Sequence, residues 1–166
     1  KLVRPGQSVL ILGAGGKSGM LVAWEAMKRV GPTGRVVGNV FLPEDAATLR
    51  DLGLCHEVVV ADATKPVALM DAVLAANGGA EYDVVFNCVN VQNTEMSSIL
   101  PCRQEGTVYF FSMATHFGKA ALGAEGVGKD VTMIVGNGYT KGHAEITLAE
   151  LRENGKLRRL FETRYV

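Results

Sequence analysis

The chain has 166 residues, a length at which one domain can bury a single core. Its 17 basic residues balance 17 acidic ones, which argues against nucleic acid as a partner, since nucleic-acid binders carry a basic excess. Hydrophobic residues make up 48%, ordinary for a globular protein, and no apolar run approaches the roughly 20 residues that cross a bilayer, so no membrane partner is expected.

Cys55, Cys88 and Cys102 are odd in number and lack CxxC spacing. A disulfide framework is therefore not expected, and a reducing cytoplasm is the default setting. Lys1-Leu2-Val3-Arg4-Pro5-Gly6 has no signal-peptide pattern and runs straight into a strand. It opens without an initiator Met, in what reads as a linker, and the chain is expected to be a fragment of a longer protein. Many of the 20 glycines fall where strands end. Glycine is needed where the backbone turns to positive φ or where another group comes close, so a ligand across those ends is expected.

In chain order, Val9-Leu10-Ile11-Leu12 is a continuous apolar run, the pattern of a strand buried on both faces. A glycine loop follows. Met20, Ala23, Trp24, Met27 and Val30 then recur at helical spacing, predicting a helix over 17–30 that Gly31-Pro32-Thr33-Gly34 ends. A second strand is expected over 35–41 and a second helix over 43–52, opened by Pro43-Glu44-Asp45. Strand 57–61, helix 66–76, strand 82–88, a short helix 94–100, strand 107–113, strand 131–135 and helix 143–154 complete the series. The stretch Ala114 to Asp130 shows no clear periodicity and reads as a long connection. Strands alternating with helices predict an α/β fold, a doubly wound Rossmann sheet of about six parallel strands in one domain, in the order 3-2-1-4-5-6.

The loop after the first strand is Gly13-Ala14-Gly15-Gly16-Lys17-Ser18-Gly19. A turn leading from a buried strand into a helix aims backbone N–H groups and the positive end of the helix dipole at one point, where phosphate binds. Gly13 is expected to allow the tight turn, Gly16 to let a pyrophosphate approach the backbone and Gly19 to let helix and sheet pack. The spacing is GxxGxxG with an extra glycine at 15. Flanked by strand and helix, it predicts NAD or NADP as cofactor. A tight turn without a ligand is the bland alternative. A nucleoside-triphosphate loop is disfavoured: the glycine it needs five residues before its second glycine is Ile11, inside the strand.

The end of the second strand, Gly38-Asn39-Val40-Phe41-Leu42, carries neither the acid that accepts from a ribose 2′-hydroxyl nor a base for a 2′-phosphate. Asn39 is a candidate ribose contact. Glu44 and Asp45 read as helix starters, and NAD versus NADP stays open. Asp62, Ala63 and Thr64 follow strand three and are expected near adenine. Asn87 and Asn90 flank the end of strand four, with Asn90 the stronger cofactor candidate, and Ser112, Ala114 and Thr115 follow strand five. Gly136-Asn137-Gly138 follows strand six, where Asn137 could meet the nicotinamide carboxamide or simply sit in a turn. No metal set is spaced in the sequence. His116 and His143 lack a visible partner, and no catalytic residue is assigned. Tyr139-Thr140-Lys141 is not the Tyr-x-x-x-Lys pair of short-chain dehydrogenases.

The stretch Lys1 to Gly16, with Pro5-Gly6 before the first strand, looks like the start of the cofactor domain of medium-chain dehydrogenases and reductases, and the spacing of Gly13, Gly16 and Gly19 is similar to that of their quinone-reductase-like branch. Phe110 to Thr115, Ala121 to Asp130 and Thr132 to His143 resemble the L-erythro-3,5-diaminohexanoate dehydrogenases. That resemblance implies NAD(P)-dependent oxidative deamination of a small amino-acid substrate in lysine fermentation, yielding 5-amino-3-oxohexanoate and ammonia. It also implies an N-terminal substrate domain, absent here, that holds the main catalytic residues, so the chain alone is expected to be inactive. A homodimer is the assembly considered, with the oligomeric state left open by the sequence. The alternatives are another alcohol- or quinone-type dehydrogenase, a dinucleotide sensor without chemistry, or a methyltransferase with a similar glycine loop.

Overall fold

Val9, Leu10, Ile11 and Leu12 are fully buried, as a strand covered on both faces must be. They belong to β1 (Ser8–Leu12), the inner strand of a six-stranded sheet with β2 (Arg35–Val40), β3 (Glu57–Val60), β4 (Tyr82–Asn87), β5 (Cys102–Phe110) and β6 (Thr132–Val135). The computed structural model describes residues 2–136 and 140–166, in two compact units, Lys1–Gly136 and Asn137–Val166. Every strand pairing is parallel, and the order is β3-β2-β1-β4-β5-β6, the doubly wound arrangement expected from the alternation of strands and helices. Leu12, at the end of β1, stands opposite Asn39 on one side and Asn87 on the other.

The helices of the first unit are α1 (Lys17–Val30), α2 (Pro43–Leu52), α3 (Pro66–Ala76), α4 (Glu95–Ile99) and α5 (Phe117–Gly126). Pro43 and Pro66 stand at the first positions of α2 and α3, where a missing N–H costs nothing. Leu10 and Leu12 face a core shared with Leu69, Val73, Ile99, Ala120 and Ala124 of α3, α4 and α5. Val9 and Ile11 point to the opposite face, as strand alternation requires.

Three elements differ from expectation by more than one residue. The stretch 114–130 holds α5, whose sequence FGKAALGAEG hides it: its glycines weaken the helical signal and only Ala120 and Ala124 are buried. His116 caps it, with Nδ1 accepting from the Lys119 N–H at 3.2 Å. Next, β5 starts at Cys102 rather than Thr107 and ends at Phe110 rather than Met113. The register of β4 and β5 shifts between Tyr82 and Val84, and Glu105 takes φ 58°, an irregularity that breaks the strand pattern. Lastly, a further helix follows Asn154. In the second unit, α6 (His143–Glu153) is succeeded by α7 (Gly155–Tyr165), capped by Asn154 Oδ1 accepting from the Leu157 N–H at 3.0 Å.

At the amino ends of the strands, Asp83 accepts from the Ser8 N–H at 2.8 Å and from Arg103 Nε at 2.8 Å, joining β1, β4 and β5. At the start of β3, His56 extends the ladder with its side chain: Nδ1 accepts from the Val36 N–H at 2.9 Å, while its own N–H donates to the Val36 carbonyl at 2.9 Å. Partial burial, aided by the charge of Arg35, holds the imidazole pKa below its usual value. The folded chain thus takes up this proton less readily than the unfolded chain. Stability from the neutral ring is complete above the unfolded value of about 6.5 and is lost as pH falls through the lowered folded value. The urea midpoint is expected to drop between pH about 7.5 and about 5.5, and to drop less in His56→Gln, which cannot titrate. An equal drop in both proteins would remove His56 from the account.

Candidate functional site

Beyond β1 and β4 the chain departs in opposite directions, towards β2 on one side and β5 on the other, and a crevice opens between the two strand ends. The cleft there has a volume of ≈ 590 Å³. Its floor is the β1–α1 loop, with Gly13, Gly15, Gly16, Lys17, Ser18 and Gly19. One wall comes from β2 and α2, with Val40, Phe41 and Asp45; the other comes from the ends of β4 and β5, with Cys88, Val89, Asn90, Phe111, Ser112, Met113 and Ala114.

The glycines of the loop are not equivalent. Gly13 has φ +73°, and a Cβ there would lie 3.0 Å from the backbone of Cys88 and Val89. At Gly19 a Cβ would fall 2.2 Å from the Gly13 carbonyl oxygen, and at Gly15 it would fall 2.9 Å from Asp45 Cβ. The fold itself therefore excludes side chains at those places. At Gly16 the nearest atom to a Cβ is 3.6 Å away and the backbone is extended, so the fold would accept a side chain. Gly16 is also the N-cap of α1. No side chain caps that helix, and its first turn holds no acid. The start of α1 thus meets the cleft with the N–H groups of its first turn and no acid in that turn, a setting in which an anion binds.

The opposite wall is set by buried polar contacts. Asn87 Nδ2 donates to Thr94 Oγ1 and Ser98 Oγ, both at 2.9 Å, and its Oδ1 accepts from the Val89 N–H at 3.0 Å, which shapes the turn that presents Asn90. Buried Glu95 accepts from the His116 N–H at 2.7 Å and ties the loop after β5 to α4. Ser112 Oγ accepts from the Ala114 N–H at 3.1 Å. Burial pushes the Cys88 thiol up to about 12, so Cys88 lines the cleft as an unreactive, un-ionised group.

Of the residues singled out from sequence, the loop members, Asn90 and Ser112 come together in the cleft. Asn39 does not line it. Asn39 is buried, and its Nδ2 faces the carbonyls of Val40, Val59 and Ala61, the nearest at 3.0 Å, so that the amide bridges β2 to the end of β3. Asp62 and Ala63 also stand outside the lining. Asp62 Oδ1 accepts from the Thr64 N–H and hydroxyl at 2.8 and 2.7 Å, and those bonds hold its carboxyl below the usual range. Ala63 is buried, with its carbonyl accepting from Ser97 Oγ at 2.6 Å. Asn137 and Gly138 lie outside the described residues. Gly136 is described, and a Cβ there would meet the Tyr109 ring at 2.4 Å. Among the described residues no group of His, Cys, Asp and Glu could hold a metal ion, and no helix is long and apolar enough to cross a membrane.

Asp45 is the lining residue that sequence reasoning used only as a helix starter. The acid usually sought at the end of β2 is missing, and this one comes from the first turn of α2 and packs over Gly15. The signal for it was the combination of a second helix opening directly after β2 with an extra glycine at 15.

This topology, with a glycine loop at the switch point, defines a Rossmann-type domain. The fold is shared with a zinc-binding dehydrogenase of Clostridium scindens (TM-score 0.73, 16% identity, covering 98% of this chain and 48% of that one) and with a mycobacterial protein solved with NADPH (TM-score 0.61, 18% identity, covering 99% and 49%). More specifically, all 166 residues are 65% identical to the L-erythro-3,5-diaminohexanoate dehydrogenase of Acetoanaerobium sticklandii and 61% identical to that of Fusobacterium nucleatum. The chain spans about half, 48%, of the length of these curated relatives. No family model matches it. The resemblance, expected over nearly the whole chain, holds along all of it.

Gly19→Ala is expected to cost about 1–3 kcal/mol in urea unfolding, because the added methyl collides with rigid backbone. Gly16→Ala is expected to stay within about 0.5 kcal/mol of the parent. Similar losses at both positions would mean that Gly16 too is dictated by the fold.

Proposed function

We propose that the cleft binds NAD or NADP, and that the chain is the cofactor-binding portion of an L-erythro-3,5-diaminohexanoate dehydrogenase. The observation that carries this is Gly16: a glycine with room for a side chain, at the uncapped start of α1, beside an open cleft. A phosphate resting on the N–H groups of that turn needs the space a side chain would fill. The identity to two such dehydrogenases over the full chain supports the choice of reaction.

In this assignment Gly13 to Gly19 cradle the pyrophosphate, and Val40, Phe41 and Asp45 border the adenosine half. Asn90, Ser112 and the residues around them border the nicotinamide half, with Asn137 a candidate for its carboxamide. Asn39 and Asp62 act one step back, by holding the ends of β2 and β3 in shape. The bound nicotinamide supplies the hydride acceptor. Overall, the substrate carbon bearing the 3-amino group loses a hydride, water releases the nitrogen as ammonia, and 5-amino-3-oxohexanoate and NAD(P)H result. Lysine fermentation in a reducing cytoplasm is the setting that fits this chemistry and the three free thiols.

The groups that hold the amino acid are assigned to the other half of such an enzyme. Fully exposed Met113 and partly exposed Phe111 stand at the mouth of the cleft, an apolar rim suited to closure by another surface. The 166-residue chain is expected to quench or shift NADH fluorescence on binding, yet to show little or no turnover, since the groups that position the substrate are assigned to the other half. Gly16→Val is expected to abolish binding while leaving the circular dichroism unchanged. Binding retained within a few-fold in Gly16→Val would take the pyrophosphate off this loop. Robust deamination by the chain alone would overturn the division of labour.

A further inference from the structure

We infer that Glu95, which does not itself line the cleft, is the positioning residue for its nicotinamide side, because it anchors the far end of the loop after β5. This rests on the dinucleotide-binding function proposed for the cleft, and adds to it a residue that works through another segment.

Phe111, Ser112, Met113 and Ala114 line the cleft on that side, and α5 begins at Phe117. Packing holds this loop weakly: Met113 is fully exposed and Phe111 partly so. Its hydrogen bonds are of two kinds. Inside the loop, the Ala114 N–H donates to Ser112 Oγ at 3.1 Å and the Thr115 N–H donates to the Ser112 carbonyl at 3.3 Å. These bonds give the loop a shape but do not fix where it stands. Among the described residues, two loop N–H groups reach the rest of the chain. At its start the Phe111 N–H donates to the Asn87 carbonyl at 3.0 Å, prolonging the ladder between β4 and β5. At its end the His116 N–H donates to Glu95 Oε1 at 2.7 Å.

Glu95 is 3% exposed, on a helix whose Ser97, Ser98 and Ile99 are fully buried. A carboxyl is costly to bury unless it is hydrogen-bonded, and an apolar residue would fill the place without that cost. What the acid adds is an acceptor facing the loop. Without it the His116 N–H would lose its partner, and the loop would have to lift for that N–H to meet water. Lifting would displace the residues bordering the nicotinamide half. The glycine loop and the wall from β2 and α2 belong to other elements and would stay. A bond from Lys119 Nζ to Asn93 Oδ1, at 2.7 Å, also joins α5 to the segment before α4. It is exposed, and a lysine gives up much rotamer freedom to make it, so it is the weaker tie.

The test compares NADH with ADP-ribose, which carries the adenosine and pyrophosphate but no nicotinamide, in calorimetric titrations of the 166-residue chain. The parent is expected to bind NADH about tenfold more tightly than ADP-ribose. Glu95→Leu, which has no acceptor, is expected to bring that ratio within about twofold of one while keeping the parental affinity for ADP-ribose. Glu95→Gln keeps an oxygen for the His116 N–H and is expected to keep the parental ratio. Hydrogen exchange of the unliganded parent reads the bond without relying on any variant: the His116 amide is expected to be protected at least about tenfold more than that of Met113. The role of Glu95 would be overturned, with dinucleotide binding intact, by a parent that does not prefer NADH or by a His116 amide no better protected than that of Met113. It would equally be overturned by a Glu95→Leu chain that keeps the parental ratio or loses both ligands alike, or by a Glu95→Gln chain that behaves like Glu95→Leu. A parent that binds neither ligand would overturn both this role and the proposed function beneath it.

Discussion

The first turn of α1 rests on the end of β1 with no space between them. A Cβ at Gly19 would sit 2.2 Å from the Gly13 carbonyl oxygen and 2.7 Å from Ala14 Cα. This contact makes the loop short and fixes where α1 begins. It thereby decides that the helix starts at the floor of the cleft and not above it. A Cβ at Gly13 would in turn lie 3.0 Å from the chain leaving β4, at Cys88 and Val89. Loop, helix and the two central strands are therefore locked together by backbone contacts alone, which no rotamer change can relax.

The topology then makes the crevice unavoidable. Because β1 lies between β2 and β4, the chain after β1 crosses one face to reach β2 and the chain after β4 passes to β5 on the other side. Connections that separate in this way leave a gap above the strands they part from. Polar side chains hold the gap open. Asn87 and Glu95 are buried beneath it and use their hydrogen bonds on the turns after β4 and β5. Buried polar groups with partners are costly to disturb, so the walls are expected to keep their shape without a ligand.

The sequence made the sheet, its order and three long helices legible, because buried parallel strands and amphipathic helices write strong periods. The bounds of α1, α2 and α3 needed no revision. What it concealed has local causes. Helix α5 is rich in alanine and glycine and buries only the methyl groups of Ala120 and Ala124, too little contrast to show a face. The early start of β5 depends on a bulge and on Glu105 at positive φ, a conformation its residue type does not announce. For the site, position relative to strand ends was legible and side-chain direction was not. Asn39, Asn90 and Ser112 all sit at such ends, yet Asn39 turns to neighbouring carbonyls, since a buried amide must satisfy its donors wherever acceptors are nearest.

Asp45 shows how the same limit works in reverse. Strand-end logic asks which residue closes β2, finds Phe41 and Leu42, and returns no charge. The structure places a carboxylate at the cleft three residues later, because α2 starts so soon after β2 that its first turn overhangs the glycine loop. A helix advances only about 1.5 Å per residue, so one turn into α2 the chain has barely left the strand end in space. The cleft is thus furnished by whatever the first turn of α2 carries, and the extra glycine at 15 is the space that this side chain requires. Gly15 and Asp45 are one feature split between two motifs, which is why neither was informative when read alone.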